Sequence, residues 1–345
     1  MSRTWTVILA GGIGSRFWPM STSSRPKQLL PLVTGRPMLV DTFERLEPLS
    51  GAARTLVLTS GALAGAVHDA LPSVPRENII TEPRAAGTAA ALTWAAELIT
   101  VRDGADAVML AVHADWAIGD VPRFQSVLRE AALLAESTHH LVTVGIVPRR
   151  ADSGLGYIVP GAVTQGAARH VESFIEKPDA ARAAALVASG ALWNSGIFAW
   201  RAGDLIEEVR VHCPEIATSL AACANDATRF FGGVTVPISI DVGVLERSSR
   251  VLVIPGDFGW SDVGTWAALR DVRTADADGN VLSGSVQARD SRNNVVHASR
   301  STVVLFGVSD LVVVVSEGIT LVTTVQHATQ LKSLLDSLPA EVRNP

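Results

Sequence analysis

The stretch LAGGIGSRFWPMSTSSRPKQLLPL, residues 9–32, decides how the chain is read. The apolar run TWTVILA leads into it through Leu9 and meets Gly11, Gly12 and Gly14. Glycines at such a strand end let the backbone turn sharply and aim consecutive N–H groups at an anion. Phosphate is the expected anion, because Arg16 follows two residues after the last glycine and Lys27 arrives from the far end of the same loop. The spacing excludes two commoner phosphate motifs. A dinucleotide fingerprint beginning at Gly12 needs a third glycine where Phe17 stands, and no Gly-Lys dipeptide occurs anywhere for a P-loop. On the glycines alone, a plain turn after the first strand is an equally good reading. Arg16, Pro26 and Lys27 favour the anion site.

Outward from this loop, residues 4–146 alternate short apolar runs with longer helical patterns, as strands joined by helices over a mainly parallel sheet do. Strands are expected at TWTVILA, RTLVLTS, NII, DAVMLAV and HLVTVGIV. Helices are expected at TAAALTWAAELITV and VPRFQSVLREAALLAES, whose apolar positions recur every three or four residues. The first is so rich in alanine that close packing on the sheet is expected. From 150 to about 275 the pattern is mixed, with an extended RHVESFIEK, a helix after Pro178 and a strand at LWNSGIFAW. From about 280, NVLSGSVQA, NNVVHA, TVVLFG, LVVVVSE and ITLVTT read as a small β unit without a strict hexapeptide repeat. HATQLKSLLDSL closes the chain as an amphipathic helix. The expected architecture is a Rossmann-like α/β domain, its mixed, mainly parallel sheet flanked by helices over residues 1–275. A small C-terminal β domain with a terminal helix occupies 276–345.

Composition narrows the function. A chain of 345 residues, 48% of them apolar, can bury a large core. The formal charge of −5 offers no basic stripe for a nucleic-acid backbone. No apolar stretch approaches the ~20 residues that span a bilayer, and the N-terminus lacks the pattern of a signal peptide. The two cysteines, Cys213 and Cys223, are too few for a disulfide framework, so a reduced, cytoplasmic setting is expected. Against 26 arginines there are three lysines, Lys27, Lys177 and Lys332. Two of them fall in motifs where a compact ammonium has a use that a planar guanidinium does not share.

The loop at 9–32 resembles the signature of the sugar-nucleotide pyrophosphorylases, and its Trp18, Pro19 and PKQ run resemble the mannose-1-phosphate guanylyltransferase family. The resemblance extends through about residue 266. It is carried by EPRAAGTAAAL (82–92), HADWAI (113–118), SGLGYI (153–158), FIEKPD (174–179), WNSGIF (193–198) and GWSDVGTW (259–266). It implies transfer of GMP from GTP to mannose 1-phosphate, with release of pyrophosphate and a requirement for Mg²⁺. Asp115 and Asp262 match the family's metal-binding carboxylates. Magnesium favours hard oxygen ligands and keeps waters, so two carboxylates plus phosphate oxygens suffice. The implied nucleotide subsite comprises Leu9, Gly11, Gly12, Gly14, Ser15, Arg16, Lys27, Glu82, Gly87, Thr88 and Asp115. Glu82 would read guanine, since one carboxylate can accept from both N1–H and N2–H₂. Gly154, Glu176, Lys177 and Asn194 match the sugar-phosphate subsite, with Lys177 on the phosphate and Glu176 on sugar hydroxyls. The catalytic set is therefore Arg16, Lys27, Asp115, Lys177 and Asp262.

Each assignment has a plainer counterpart. Asp115 alone reads as a loop residue, Glu82 as a charge before Pro83, and Glu176 with Lys177 as an exposed ion pair. His113 reads as a structural histidine, because a phosphate nucleophile is already ionised at neutral pH. The chain also departs from the family pattern. Ala86 and Gly87 replace an arginine and an asparagine, His113 a proline, Trp116 a histidine and Leu155 an aromatic residue. Another sugar 1-phosphate or nucleotide, or a weakly catalytic regulatory paralogue, therefore stays open as an alternative. The LVVVV run, apolar on successive residues, needs cover on both faces and points to a homodimer through the β unit.

Overall fold

The computed structural model describes residues 3–12 and 14–343, which gather into two compact units. One unit comprises residues up to 11, 43–114 and 120–260; the other comprises 12–42, 115–119 and 261 onward. The boundary expected near 275 follows chain order, whereas these units interleave along the chain.

The first unit is built on a nine-stranded mixed sheet. Its strands are β1 (Thr4–Leu9), β2 (Thr55–Ser60), β3 (Ile79–Glu82), β4 (Val108–His113), β5 (Leu141–Ile146), β6 (Tyr157–Val163), β7 (Arg169–Ile175), β8 (Leu192–Arg201) and β9 (Val251–Gly256). Their spatial order is β3-β2-β1-β4-β8-β5-β9-β7-β6. β3, β2, β1 and β4 run parallel, as do β5 and β9, while β8 lies antiparallel between β4 and β5. Every strand expected before residue 147 is present. β1 and β5 are buried along their whole length, the condition of strands covered on both faces, which is why they read as unbroken apolar runs.

The helix Thr88–Asp103 buries Ala89 to Ala96 without a gap, so it is enclosed by protein rather than half-solvated. Its small side chains share one core with Trp94, Phe230 and Phe231. The helix Val121–Thr138 starts where the Asp120 carboxylate accepts from the Arg123 N–H at 2.9 Å, a cap worth about 1 kcal/mol. It ends at His139, whose φ of 58° is left-handed. The mixed region hides more order than its pattern signals: β9, with Pro255 inside it, pairs in parallel with β5, and helices occupy Ala202–His212 and Pro214–Ala222. Among the described residues, no helix is long and apolar enough to cross a membrane.

In the second unit, Phe17, Trp18, Leu30 and Leu32 from the glycine loop form one core with Trp266, Val281, Val312 and Leu331. That shared core explains why the loop groups with the C-terminal residues. The β segments form a sheet of four strands, β10 (Val281–Arg289), β11 (Val295–Phe306), β12 (Leu311–Ser316) and β13 (Ile319–Thr324). NNVVHA and TVVLFG, two segments in the sequence pattern, are one strand, β11. β10, β11 and β12 pair in parallel, so the chain coils as a short solenoid. Val281 faces Val295, fourteen residues on, and Val295 faces Val312, seventeen on. Corresponding corners are turned by Gly279, Asn293 and Asp310, with φ of 79°, 56° and 57°. Behind two of them, buried Asn294 donates Nδ2 to Asn280 Oδ1 at 2.9 Å, and its own Oδ1 accepts from Leu311 N at 2.9 Å. The LVVVV run is covered by its own chain on both faces: Val312 and Val314 join the core around Trp266, and Val313 packs with Val296 and Leu305. The need for a partner to cover that strand therefore falls away. The apolar side chains left exposed are elsewhere, Val304 and Phe306 on β11 among them.

Candidate functional site

From Gly12 onward the phosphate loop, with both expected metal carboxylates, belongs to the second unit, and Lys27 organises it. Its ammonium, on a side chain only 6% exposed, donates to Asp115 Oδ2 at 2.9 Å and to the Asp262 carbonyl at 2.6 Å. Two of its three N–H donors are thus spent on the metal loops, which leaves one for a substrate oxygen. The loops carrying the two aspartates are tied by reciprocal backbone bonds, Ala117 N–H to Ser261 O and Ser261 N–H to Ala117 O, each 3.0 Å. This bridge sets Asp115 and Asp262 on adjoining loops although 147 residues separate them in sequence.

Two glycines make the approach possible. Gly14 has φ 65°, and a Cβ there would lie 2.3 Å from Lys27 Cβ, so both its dihedral and its lack of side chain are required. A Cβ on Gly264 would meet Asp262 Oδ2 at 2.5 Å and Arg16 Nη1 at 3.3 Å, which places the Arg16 guanidinium and the Asp262 carboxylate over the same bare backbone. Ser15 and Arg16 lie on a 3₁₀ turn, Ser15–Phe17, whose Phe17 is fully buried and anchors the loop. Arg16 itself is exposed. Among the described residues, no cluster of three or more His, Cys, Asp or Glu side chains is placed to hold a metal. Two carboxylates, both hard oxygen donors, match a cation that completes its shell with water and phosphate oxygens.

The base and sugar residues belong to the first unit. Glu82 ends β3, and Gly11 follows the end of β1 with its Cα bare toward the Glu82 carboxylate: a Cβ there would stand 3.8 Å from Oε1. Burial pushes the Glu82 carboxyl up to about 7. No donor pairs with it among the described residues, so it is a half-buried acceptor without a protein partner. Gly87 and Thr88, expected at the nucleotide, hold the segment at 238–240. A Cβ on Gly87, at φ 86°, would strike Ile238 O at 2.2 Å, and Thr88 Oγ1 accepts from Ile240 N at 2.9 Å.

On the sugar side, Gly154 N–H donates to Asp152 Oδ1 at 2.9 Å in a tight turn that Tyr157 braces through its hydroxyl. Glu176 and Lys177 follow β7, paired at 2.5 Å with both side chains exposed, and Lys177 sits at φ 42°. Asn194 lies where β8 bulges against β5 between Val144 and Gly145. The bulge is held by Ser195 Oγ, which donates to Val144 O and accepts from Ile197 N. Glu176, Asn194, Gly156, Phe174, Asp241 and Glu246 line one narrow cleft.

The nucleotidyl transferase family model matches residues 5–279. A mannose-1-phosphate guanylyltransferase of Escherichia coli is 36% identical over 98% of this chain and 74% of its own length. The xanthan biosynthesis protein XanB of Xanthomonas campestris pv. campestris is 35% identical over 100% of this chain and 75% of its own. The crystal structure of a mannose-1-phosphate geranyltransferase from Thermus thermophilus matches at a TM-score of 0.88 and 34% identity, covering 97% of this chain and 98% of that one. The chain belongs to the mannose-1-phosphate guanylyltransferase family.

Within this family of nucleotidyltransferases, which use a divalent metal, the departures now have surroundings. Ala86 is fully buried in the alanine-rich core, where an arginine would not fit without displacing its neighbours. Trp116 is buried between the tied loops' residues Asp115 and Ala117, so its change from histidine leaves the Asp115 contact to Lys27 in place. The residues that sequence reasoning missed are Asp241 and Glu246, on the π-helical turn Asp241–Leu245 and just after it. Two acids in the otherwise apolar ISIDVGVLE were the available signal. Burial lifts the Asp241 carboxyl above its usual range, against the lowering pull of its bond from Asn194. Burial also raises Glu246, helped by the charges of Asp241 and Glu176.

Proposed function

We propose that the chain transfers GMP from GTP to the phosphate of α-D-mannose 1-phosphate, giving GDP-mannose and pyrophosphate. A phosphate oxygen of the sugar phosphate attacks the α-phosphorus in line as the bond to the leaving pyrophosphate breaks, so catalysis rests on position and charge rather than on a protein nucleophile. The observation that carries this reading is the Lys27 ammonium joining Asp115 to Asp262, with the Arg16 guanidinium and the Asp262 carboxylate both over Gly264. Asp115 and Asp262 would hold Mg²⁺, which when bound offsets charge on the phosphates. Arg16 and the remaining Lys27 proton serve the triphosphate, and the N–H groups of Gly12, Gly14 and Ser15 are its further donors. Glu82, an acceptor with no partner among the described residues, takes the guanine edge. Glu176 accepts from sugar hydroxyls, and Lys177 meets the phosphate of the sugar 1-phosphate. Exposed Val304 and Phe306 support a homodimer through the solenoid face rather than through the LVVVV strand.

The test is pyrophosphate release over a panel of nucleoside triphosphates and sugar 1-phosphates, with and without Mg²⁺. GTP with mannose 1-phosphate is expected to lead, and Asp115→Asn and Asp262→Asn to lose most turnover while keeping native circular dichroism. Equal rates in chelator, or wild-type rates in both variants, would refute the metal assignment. Preference for another sugar or base would move the substrate and keep the chemistry.

A further inference from the structure

The structure assigns Asp241 as a positioning residue: it orients the Asn194 amide so that a donor, not an acceptor, faces the sugar. This rests on the reading of the cleft as the sugar 1-phosphate subsite and deepens it.

Asn194 Nδ2 donates to Asp241 Oδ1 at 2.7 Å, while Asn194 Oδ1 accepts from the Gly196 N–H at 3.2 Å. A carboxylate can only accept, so these two bonds permit one orientation of the amide. One Nδ2 proton is spent on Asp241 and the other stays available to a ligand oxygen. Apart from Tyr157, whose hydroxyl bonds to the Asp152 backbone, the cleft's remaining polar side chains are acidic: Glu176, Asp241 and Glu246. Glu176 Oε2 stands 2.7 Å from where a Cβ on Gly156 would be, so glycine there leaves the carboxylate the place it occupies. Asn194 is fastened to the same backbone, its N–H donating to Gly156 O at 2.8 Å. An Asn194 donor beside a Glu176 acceptor reads adjacent hydroxyls as one oxygen that accepts and one that donates. Phe174 supplies an apolar wall for the ring's C–H groups.

The placement of Asp241 is itself secured from the base side. Ile240 N–H is held by Thr88 Oγ1, and Ile238 O accepts from Ala89 N at 3.2 Å, while Gly87 clears room for that segment. The Asp241 carboxylate is not needed for these backbone bonds, so removing it leaves the base-side loop in place.

The test pairs Asp241→Leu, which removes the acceptor at similar size, with the swap Asn194→Asp/Asp241→Asn. The swap keeps a hydrogen bond between the two positions and the same total charge, but turns the cleft-facing donor into an acceptor. Expected for Asp241→Leu is a folded protein whose KM for mannose 1-phosphate rises roughly tenfold or more, the effect of one lost buried hydrogen bond, with the KM for GTP within about twofold. The swap is expected to leave the raised KM uncorrected. Wild-type KM in Asp241→Leu would overturn the inference, and so would recovery in the swap, which would make the pair merely structural. A wild-type chain that turns over no sugar 1-phosphate refutes the parent reading and this one with it. Turnover by the wild type that Asp241→Leu matches refutes only this one.

Discussion

The Glu82 carboxyl gives the most direct handle on base recognition. Its acidity is displaced by burial to about 7, so its charge changes across the range in which the protein can be assayed. If only the ionised form accepts from both guanine donors, apparent affinity scales with the ionised fraction. For a group titrating near 7, that fraction is ~0.09 at pH 6 and ~0.91 at pH 8. Binding should therefore tighten about tenfold between the two. GDP-mannose is the better probe, because its diphosphate bridge has no terminal phosphate to titrate in the same window. Calorimetric titration should show that tightening for the wild type. Glu82→Gln should bind on the order of 1–3 kcal/mol more weakly at pH 8, since an amide cannot accept at both ends, and its pH profile should be flat. The linkage to folding has the opposite sense. With its folded value raised above its unfolded one, Glu82 favours the native state fully below about 4.5, and that contribution is lost as the pH rises through about 7. A wild-type affinity that does not change between pH 6 and 8, or one that weakens, would refute the assignment of Glu82 to the base.

Three further outcomes follow from the same geometry. Gly14→Ala must carry a left-handed residue at a cost of about 1–2 kcal/mol and push its Cβ into Lys27, so the denaturation midpoint should fall and turnover drop by roughly 100-fold; wild-type kinetics would show that Lys27 tolerates displacement. Lys177→Arg should lose roughly 100-fold in turnover with sugar 1-phosphate while GTP binding holds, whereas unchanged turnover would mark Glu176 and Lys177 as a solvated ion pair. Light scattering should give twice the 36.3 kDa chain mass for the wild type and one chain mass for Phe306→Glu, and a monomeric wild type would reject the dimer.

Where sequence and structure agree, the reason is local. Strands covered on both faces betray themselves as unbroken apolar runs, and Gly11, Gly12 and Gly14 mark by residue type the turn that follows β1, where Gly14 stands at φ 65°. Lys27 stood out because lysine is scarce, but its place between Asp115 and the Asp262 carbonyl depends on the Ala117–Ser261 bridge, which no sequence pattern announces. Asp241 escaped because its meaning comes from Asn194, 47 residues away. The motif places Thr88 at the nucleotide, and it does not announce that the Thr88 hydroxyl also accepts from Ile240. The solenoid was hidden by unequal coils, fourteen residues and then seventeen, which defeat a search for a fixed period.

The turn of direction at β13 also limits how the solenoid can grow. β12 would offer a free parallel edge on which a further coil, or a coil from another molecule, could stack. β13 runs back antiparallel along it and occupies those backbone groups. The asparagine ladder stops at the same level, because the corner that follows Asn294 carries Leu311, with no amide to pass the bond onward. At the opposite edge, β10 bends at Gly284, φ 86°, where β11 carries three extra residues between Ala298 and Thr302, and it ends on Arg289, both of which discourage an incoming strand. A parallel coil of this kind is a template for filaments, and here each end of the stack carries its own stop.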